Sequence, residues 1–163
     1  MSTSSTVDSA GSVGGTSSIT TGTDAMPMIS FYDATNQDLR VAHCGSVACT
    51  LATSTSVDTA NNVGQYSSIT IGVNGLPIIR HYDGTNGGLR ISVCSNVTCT
   101  SATTTAIDTV STVGFESSMT IGADAALIIS YRDGGVNGDR VARRHDLRSC
   151  IKLNCALPLS TVE

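Results

Sequence analysis

The chain has no tryptophan, four tyrosines, two phenylalanines, three prolines and a single lysine among its 163 residues, and only 13% of the residues are charged. With so few aromatic rings, a core has to be built from the abundant valine, isoleucine, threonine and other small side chains, which suit strands better than helices. The formal net charge of −4 leaves no basic field of the kind nucleic acid requires. No apolar run approaches the ~20 residues of a helical membrane span, and the opening "MSTSSTVDSAG" has neither the basic start nor the apolar stretch of a signal peptide. G-x-S-x-G, H-E-x-x-H, P-loop and dinucleotide motifs are all missing, and His43, His81 and His145 stand at unrelated phases. These absences point away from an enzyme, and no metal or cofactor site is expected. The 40% hydrophobic content is nevertheless enough for a core, so disorder is excluded.

What is present is repetition. Val7-Asp8, Val57-Asp58 and Ile107-Asp108 fall fifty residues apart, and Val13-Gly14, Val63-Gly64 and Val113-Gly114 keep the same step. The repeats run over about 9–58, 59–108 and 109–163, with residues 1–8 as a partial or frayed copy of a last strand. Each unit reads as four strands: A (67–71 in the second copy), B (76–82), C (89–94) and D (99–107). "VNG" at 73–75 and "TNGG" at 85–88 supply residues that reach positive φ cheaply and close tight hairpins, so the strands are expected to be antiparallel neighbours. Pro27 and Pro77 open strand B, where a missing N–H does little damage.

A fifty-residue unit making one four-stranded antiparallel sheet has the size of a β-propeller blade. The expected fold is therefore all-β: three blades in one domain, 1–163, forming a partial propeller. A parallel β-helix or a sandwich is the alternative; β-helix coils are shorter and need no hairpin between every pair of strands.

"SSITIGVNGLPIIRHYDGTNGGLRISVCSNVTC" resembles tandem repeats of bacterial, secreted proteins whose units read approximately SSI-IG-DGLP-ISYYD-TNGDLK-AHC. The resemblance covers all three copies, the second most closely. It implies propeller blades distantly similar to those of fucose lectins and sialidases, and an extracellular or cell-surface location. It supplies no defined activity. Sugar-stacking tryptophans and the Ser-x-Asp-x-Gly-x-Thr-Trp box of sialidase-like propellers are both missing from this chain.

Three blades leave two open ends, and each exposes a face that a neighbouring blade should cover. Two copies would make a six-bladed ring, so a homo-oligomer is expected; a longer array of which this is a part is the alternative. "STVD" at 5–8 and "STVE" at 160–163 are both versions of the end of strand D.

The six cysteines fall as Cys44 and Cys49, Cys94 and Cys99, and Cys150 and Cys155, each pair at the expected turn from strand C to strand D. Positions flanking a short hairpin loop lie near disulfide distance, so one bridge per repeat is expected, with free thiols or zinc as alternatives. Disulfides imply an oxidising compartment.

Residues present in every copy are expected to serve the blade. Asp33, Asp83 and Asp133 read as turn caps, with Arg40, Arg90 and Arg140 as cross-strand ion partners; Asp24, Asn74 and Asp124 read as shaping the A–B turn. Departures between copies are the better candidates for specific function. On strand B these are Tyr32, Tyr82 and Arg132, Arg80 in place of Ser30 and Ser130, and His81 in place of Phe31 and Tyr131. They are candidates for contacting a glycan or protein in grooves between blades, with filling of the inter-blade core as the alternative. In the third copy the path from Asp133 to Cys150 takes 17 steps against 11 from Asp83 to Cys94, and it gathers Arg140, Arg143, Arg144, Arg148 and Lys152. This basic patch would suit a phosphate, a sulfated glycan or an acidic partner, or protect an edge strand. The function expected is a non-catalytic binding module; a purely architectural repeat and, more weakly, a sialidase-like hydrolase are the alternatives.

Overall fold

The computed structural model describes residues 4–110, 112–135, 138–144 and 160–161. These form three four-stranded sheets, with no helix among the described residues. The first sheet holds β1 (Val13–Thr21), β2 (Pro27–Asp33), β3 (Asp38–Cys44) and β4 (Ala52–Asp58). The second holds β5 (Val63–Ile71), β6 (Pro77–Asp83), β7 (Gly88–Cys94) and β8 (Ala102–Asp108). The third holds β9 (Val113–Ile121), β10 (Leu127–Asp133), β11 (Gly138–Arg144) and the two-residue β12 (Ser160–Thr161). Every neighbouring pair is antiparallel and the order in each sheet follows the chain. The fifty-residue unit of sequence is thus one meander of four strands.

The turns form as their side chains dictate. Between the first and second strands, Asp24, Asn74 and Asp124 accept the N–H of Met26, Leu76 and Ala126 on Oδ1, each two residues on. Between the second and third, Asp33 Oδ1 accepts the N–H groups of Thr35 and Asn36, and Asp83 does the same for Thr85 and Asn86. These are Asx turns, the local side-chain substitutes for a backbone turn. Burial opposes ionisation at Asp33 and Asp83, but the bonds from Asn36 and Asn86 prevail and hold both carboxyls below their ordinary range.

Two strand starts differ from the sequence expectation by three residues or more, the other bounds by at most one. The first strand starts at Val63, not at residue 67, because Gly64 (φ 99) and Tyr66 (φ 53) form bulges within it. The same bulges recur at Gly14 and Thr16 and at Gly114 and Glu116. Threonine, tyrosine and glutamate carry no signal for a left-handed backbone, so the ladder ahead of residue 67 was hidden. The fourth strand starts at Ala102, not at 99, since Cys99 belongs to the turn, with φ 54 and its N–H bonded to the Asn96 carbonyl.

Two disulfides close these turns: Cys44–Cys49 and Cys94–Cys99, with Cα atoms 4.9 and 5.0 Å apart. They fit a non-reducing, extracellular-type environment. No helix among the described residues is long and apolar enough to cross a membrane.

The sheets stack face to face. Met28, Leu39 and Val41 of the first sheet pack against Ile69 and Ile79 of the second. Ile78, Leu89 and Ile91 of the second meet Val113, Met119, Ile129 and Tyr131 of the third. The first strands, β1, β5 and β9, lie against one another in succession, while the fourth strands β4 and β8 barely meet. The stack is therefore wedge-shaped, tight along the first strands and open along the last.

Glycine decides how close the sheets come. A Cβ on Gly64 would lie 2.6 Å from the Leu39 Cα, and one on Gly114 would lie 3.2 Å from the Leu89 Cα. Beside these contacts the N–H groups of Val63 and Val113 donate to the carbonyls of Gln37 and Gly87 in the preceding sheet, each at 3.0 Å. Each leucine is thereby seated in a cleft whose floor is a glycine of the next sheet.

Candidate interaction surface

The joints between sheets are built around the aspartate that ends each fourth strand. Asp58 Oδ2 lies 3.2 Å from Arg90 Nε, and Arg90 Nη1 lies 3.1 Å from Asp83 Oδ2, so one guanidinium ties the end of the first sheet to the turn of the second. The N-terminal segment does the same for the first sheet: Asp8 Oδ2 is 3.1 Å from Arg40 Nη1, which is 3.5 Å from Asp33 Oδ2. Burial would raise the Asp8 carboxyl, but bonds from Ala10 and Ser54 and the charge of Arg40 hold it below its ordinary value. The expected pairing of Arg40 and Arg90 with Asp33 and Asp83 is present, and a second carboxylate from the preceding repeat completes it. Residues 5–8 form no strand, but Ser5 donates to the Cys49 carbonyl and Asp8 is held by Arg40.

Each copy meets this shared carboxylate differently. Tyr131 donates its hydroxyl to Asp108 at 2.8 Å. His81 lies 3.5 Å from Asp58 and 3.1 Å from the Ser92 hydroxyl, which in turn contacts Thr104 at 2.7 Å. Phe31 offers no hydrogen bond, and the Arg40 guanidinium sits 5.8 Å from its ring centre. His81 is wholly buried, and that burial together with the charges of Arg90 and Arg80 pushes its pKa down to about 3, so the imidazole is neutral.

The alternation expected on the second strand holds, since residue 81 faces the preceding sheet while 80 and 82 face the following one. The grooves expected there are closed at His81 and Arg80, neither of which has exposed surface, because the neighbouring sheets pack directly upon them. Arg80 Nη1 donates to the Gly114 carbonyl at 3.2 Å, while its Nε and Nη2 have no partner. Burial alone lowers its pKa to about 9. Tyr82 is buried against Phe115, ring centres 4.3 Å apart, and Tyr66 closes the cluster at 5.5 Å from Phe115. Tyr66 and Phe115 are half-buried and escaped the sequence reading because neither has an aromatic counterpart in the other copies. Tyr32 is half-buried and donates to Asn62 at 2.8 Å, and Arg132 is half-exposed, 4.0 Å from Glu116. The five strand-B candidates are therefore spread over both joints and the far face of the third sheet, and do not converge on one site.

The open surface is the outer face of the first sheet. Ile19 is 65% exposed, whereas Ile69 and Met119, its counterparts one and two repeats on, are 6% and 8% exposed. Val13 and Ile29 are half-buried where Val63, Val113, Ile79 and Ile129 are buried. A Cβ added to Gly14 would meet nothing within 4 Å. Together with residues 6–8, this face lines a groove of about 260 Å³ floored by Val13, Gly14, Ser17, Ile29 and Phe31. It is the cleft that Leu39 and Leu89 fill at the other two joints, here uncovered.

Of the basic patch, Arg140, Arg143 and Arg144 belong to β11, and Arg148 and Lys152 lie outside the described residues, as does the expected Cys150–Cys155 bridge. Among the described residues no group of three or more His, Cys, Asp or Glu is placed to hold a metal ion. A scan against known protein-family models gives no match to this chain, and neither does a search of curated proteins.

Proposed function

We propose that the chain is a non-catalytic interaction module of an extracellular protein: an arc of three propeller blades whose first sheet offers an uncovered face to another sheet of the same kind. The wedge-shaped stacking, tight at the first strands and open at the fourth, supports the propeller arc, since blades converge in this way on a central axis. The resemblance of the repeats to those of secreted bacterial proteins supports the setting, and the two disulfides agree with it. The observation that carries the interaction role is the exposure of Ile19 at a position its sister repeats bury. Contiguous apolar surface of this kind on a folded protein marks an association site.

Ile19→Lys tests the reading. Because the side chain is exposed, the variant is expected to keep its melting temperature while losing most of the fluorescence of a dye that reports apolar surface. Unchanged dye fluorescence would refute the uncovered face.

Glycan binding is the second reading, and it draws on the half-buried rings of Tyr66 and Phe115 at the second joint. Saturable binding on a glycan array that Tyr66→Ala abolishes would establish it; a blank array would remove it.

A further inference from the structure

The uncovered face has a shape and a partner chemistry that the molecule itself spells out. At both internal joints the residue that enters the glycine cleft is a leucine at the start of the third strand, Leu39 over Gly64 and Leu89 over Gly114. Each of these leucines stands opposite the aspartate that ends its own fourth strand, Leu39 opposite Asp58 and Leu89 opposite Asp108. At the open end the cleft over Gly14 is empty of protein, yet the aspartate is already in place: Asp8 holds Arg40 as Asp58 holds Arg90. Residues 6–8 thus stand where the end of a preceding sheet's fourth strand would stand.

We propose that the outer face of the first sheet, together with residues 6–8, docks the first three strands of a further repeat of this type, one that carries leucine at the register position of Leu39 and Leu89. The proposal rests on reading the sheets as blades. In the docked state the incoming leucine fills the cleft over Gly14, Ile19 and Ile29 are covered as Ile69 and Ile79 are, and Asp8 lies across from that leucine.

This chain's own third sheet is not the partner. The register Arg132↔Asp139 repeats Tyr32↔Leu39 and Tyr82↔Leu89, so Asp139 holds the leucine position in β11. A second copy docking head to tail would set Asp139 against Asp8, and like charges directly opposite one another on neighbouring strands are destabilising. An aspartate also lacks the apolar bulk that the cleft is built to receive, and carries a desolvation cost that leucine does not.

The probe is the chain itself with Asp139→Leu, combined with Ile19→Lys so that the variant can dock onto wild type without presenting a first-sheet face of its own. In light scattering at tens of micromolar, wild type alone is expected at 16.7 kDa, as is wild type mixed with Ile19→Lys. Wild type mixed with D139L/I19K is expected to give a species of twice that mass. D139N/I19K, which removes the charge without supplying the leucine, is expected to give none. A wild-type dimer that Ile19→Lys abolishes would overturn the proposal, because the third sheet would then suffice as it stands. Absence of a complex with a folded D139L/I19K, judged by its β-sheet circular dichroism, would overturn it as well. Should that variant not fold, D139M/I19K poses the same question with the same outcomes. If Ile19→Lys abolishes dye binding yet no complex forms, the uncovered face stands and only its leucine-bearing occupant is refuted.

Discussion

Arg80 is a cation sealed between two sheets without a counter-charge, and replacing it by methionine is predicted to stabilise the protein. Its side chain has no exposed surface, no carboxylate among the described residues lies within ion-pair distance, and two of its nitrogens have no hydrogen-bond acceptor. Burial lowers its pKa from 12.5 to about 9, which at about 1.4 kcal/mol per pH unit corresponds to a desolvation cost on the order of 5 kcal/mol. Against this stand one hydrogen bond, worth about 1.5–3 kcal/mol when the donor is charged, and the packing of the aliphatic stem. Methionine keeps most of that packing. The Gly114 carbonyl is not orphaned by the change, because the Ser117 hydroxyl also donates to it at 3.0 Å. Replacing even a paired buried charge by apolar side chains of similar volume is often neutral or stabilising by about 1–4 kcal/mol, and Arg80 has no ion pair to lose; a gain of about 2 kcal/mol in a chain of this size raises the melting temperature by roughly 4–8 °C. Differential scanning calorimetry at neutral pH reads it. Arg80→Ser, which installs the residue of the other two copies but leaves a void, is expected to fall below the methionine variant. A methionine variant that melts below wild type would refute the reasoning.

His81 should make the fold acid-sensitive. Its folded pKa of about 3 lies below the 6.5 of the unfolded chain, so its contribution is intact above pH 6.5 and is lost as the pH falls toward 3, at up to about 1.4 kcal/mol per pH unit. His81→Phe, the residue of the first repeat, should flatten the decline in urea-unfolding stability between pH 6.5 and 4.5 by at least ~1 kcal/mol; an unchanged slope would assign the decline to other groups. Gly64→Ala and Gly14→Ala both force a non-glycine residue to positive φ, at about 1–3 kcal/mol, but only Gly64→Ala also drives a Cβ into the Leu39 backbone. The difference between the two in denaturant midpoint should exceed ~1 kcal/mol, and equal losses would contradict the close approach of the sheets. Replacing Cys94 and Cys99 together by alanine should cost about 2 kcal/mol from loop entropy alone, read from the urea midpoint, and no loss would show that the closed turn is equally ordered without the bridge.

The features legible in the sequence are the local ones. The Asn-Gly and Asp-led turns, the second-strand prolines and the five-residue spacing of Cys44 and Cys49 all act within a few residues, so strand order and hairpin bridges could be read directly. Asp58 was visible as a marker of the period but not as a partner of Arg90, because the two stand in different repeats and meet only when the sheets stack. Arg80 and His81 looked like surface departures for the same reason: nothing in a single strand says which of its faces a neighbouring sheet will cover. The bulges at Thr16, Tyr66 and Glu116 were hidden because none of these residue types marks a left-handed backbone, and the bond from the Tyr66 N–H to the Thr16 hydroxyl joins two of them across different repeats.

The joint around Asp58 has a consequence for how such chains change. The carboxylate is supplied by one repeat, and the residues that complement it by the next, yet the complementary set travels within a single fifty-residue block, as His81 comes with Ser92, 3.1 Å from it. A block copied, deleted or exchanged at the Val-Asp boundary therefore meets the same carboxylate wherever it lands and brings its own matched pair with it. At the carboxylate, fit between neighbours does not depend on which neighbours they are; the leucine that enters the next sheet's glycine cleft is the part that does, since the third repeat carries Asp139 in its place.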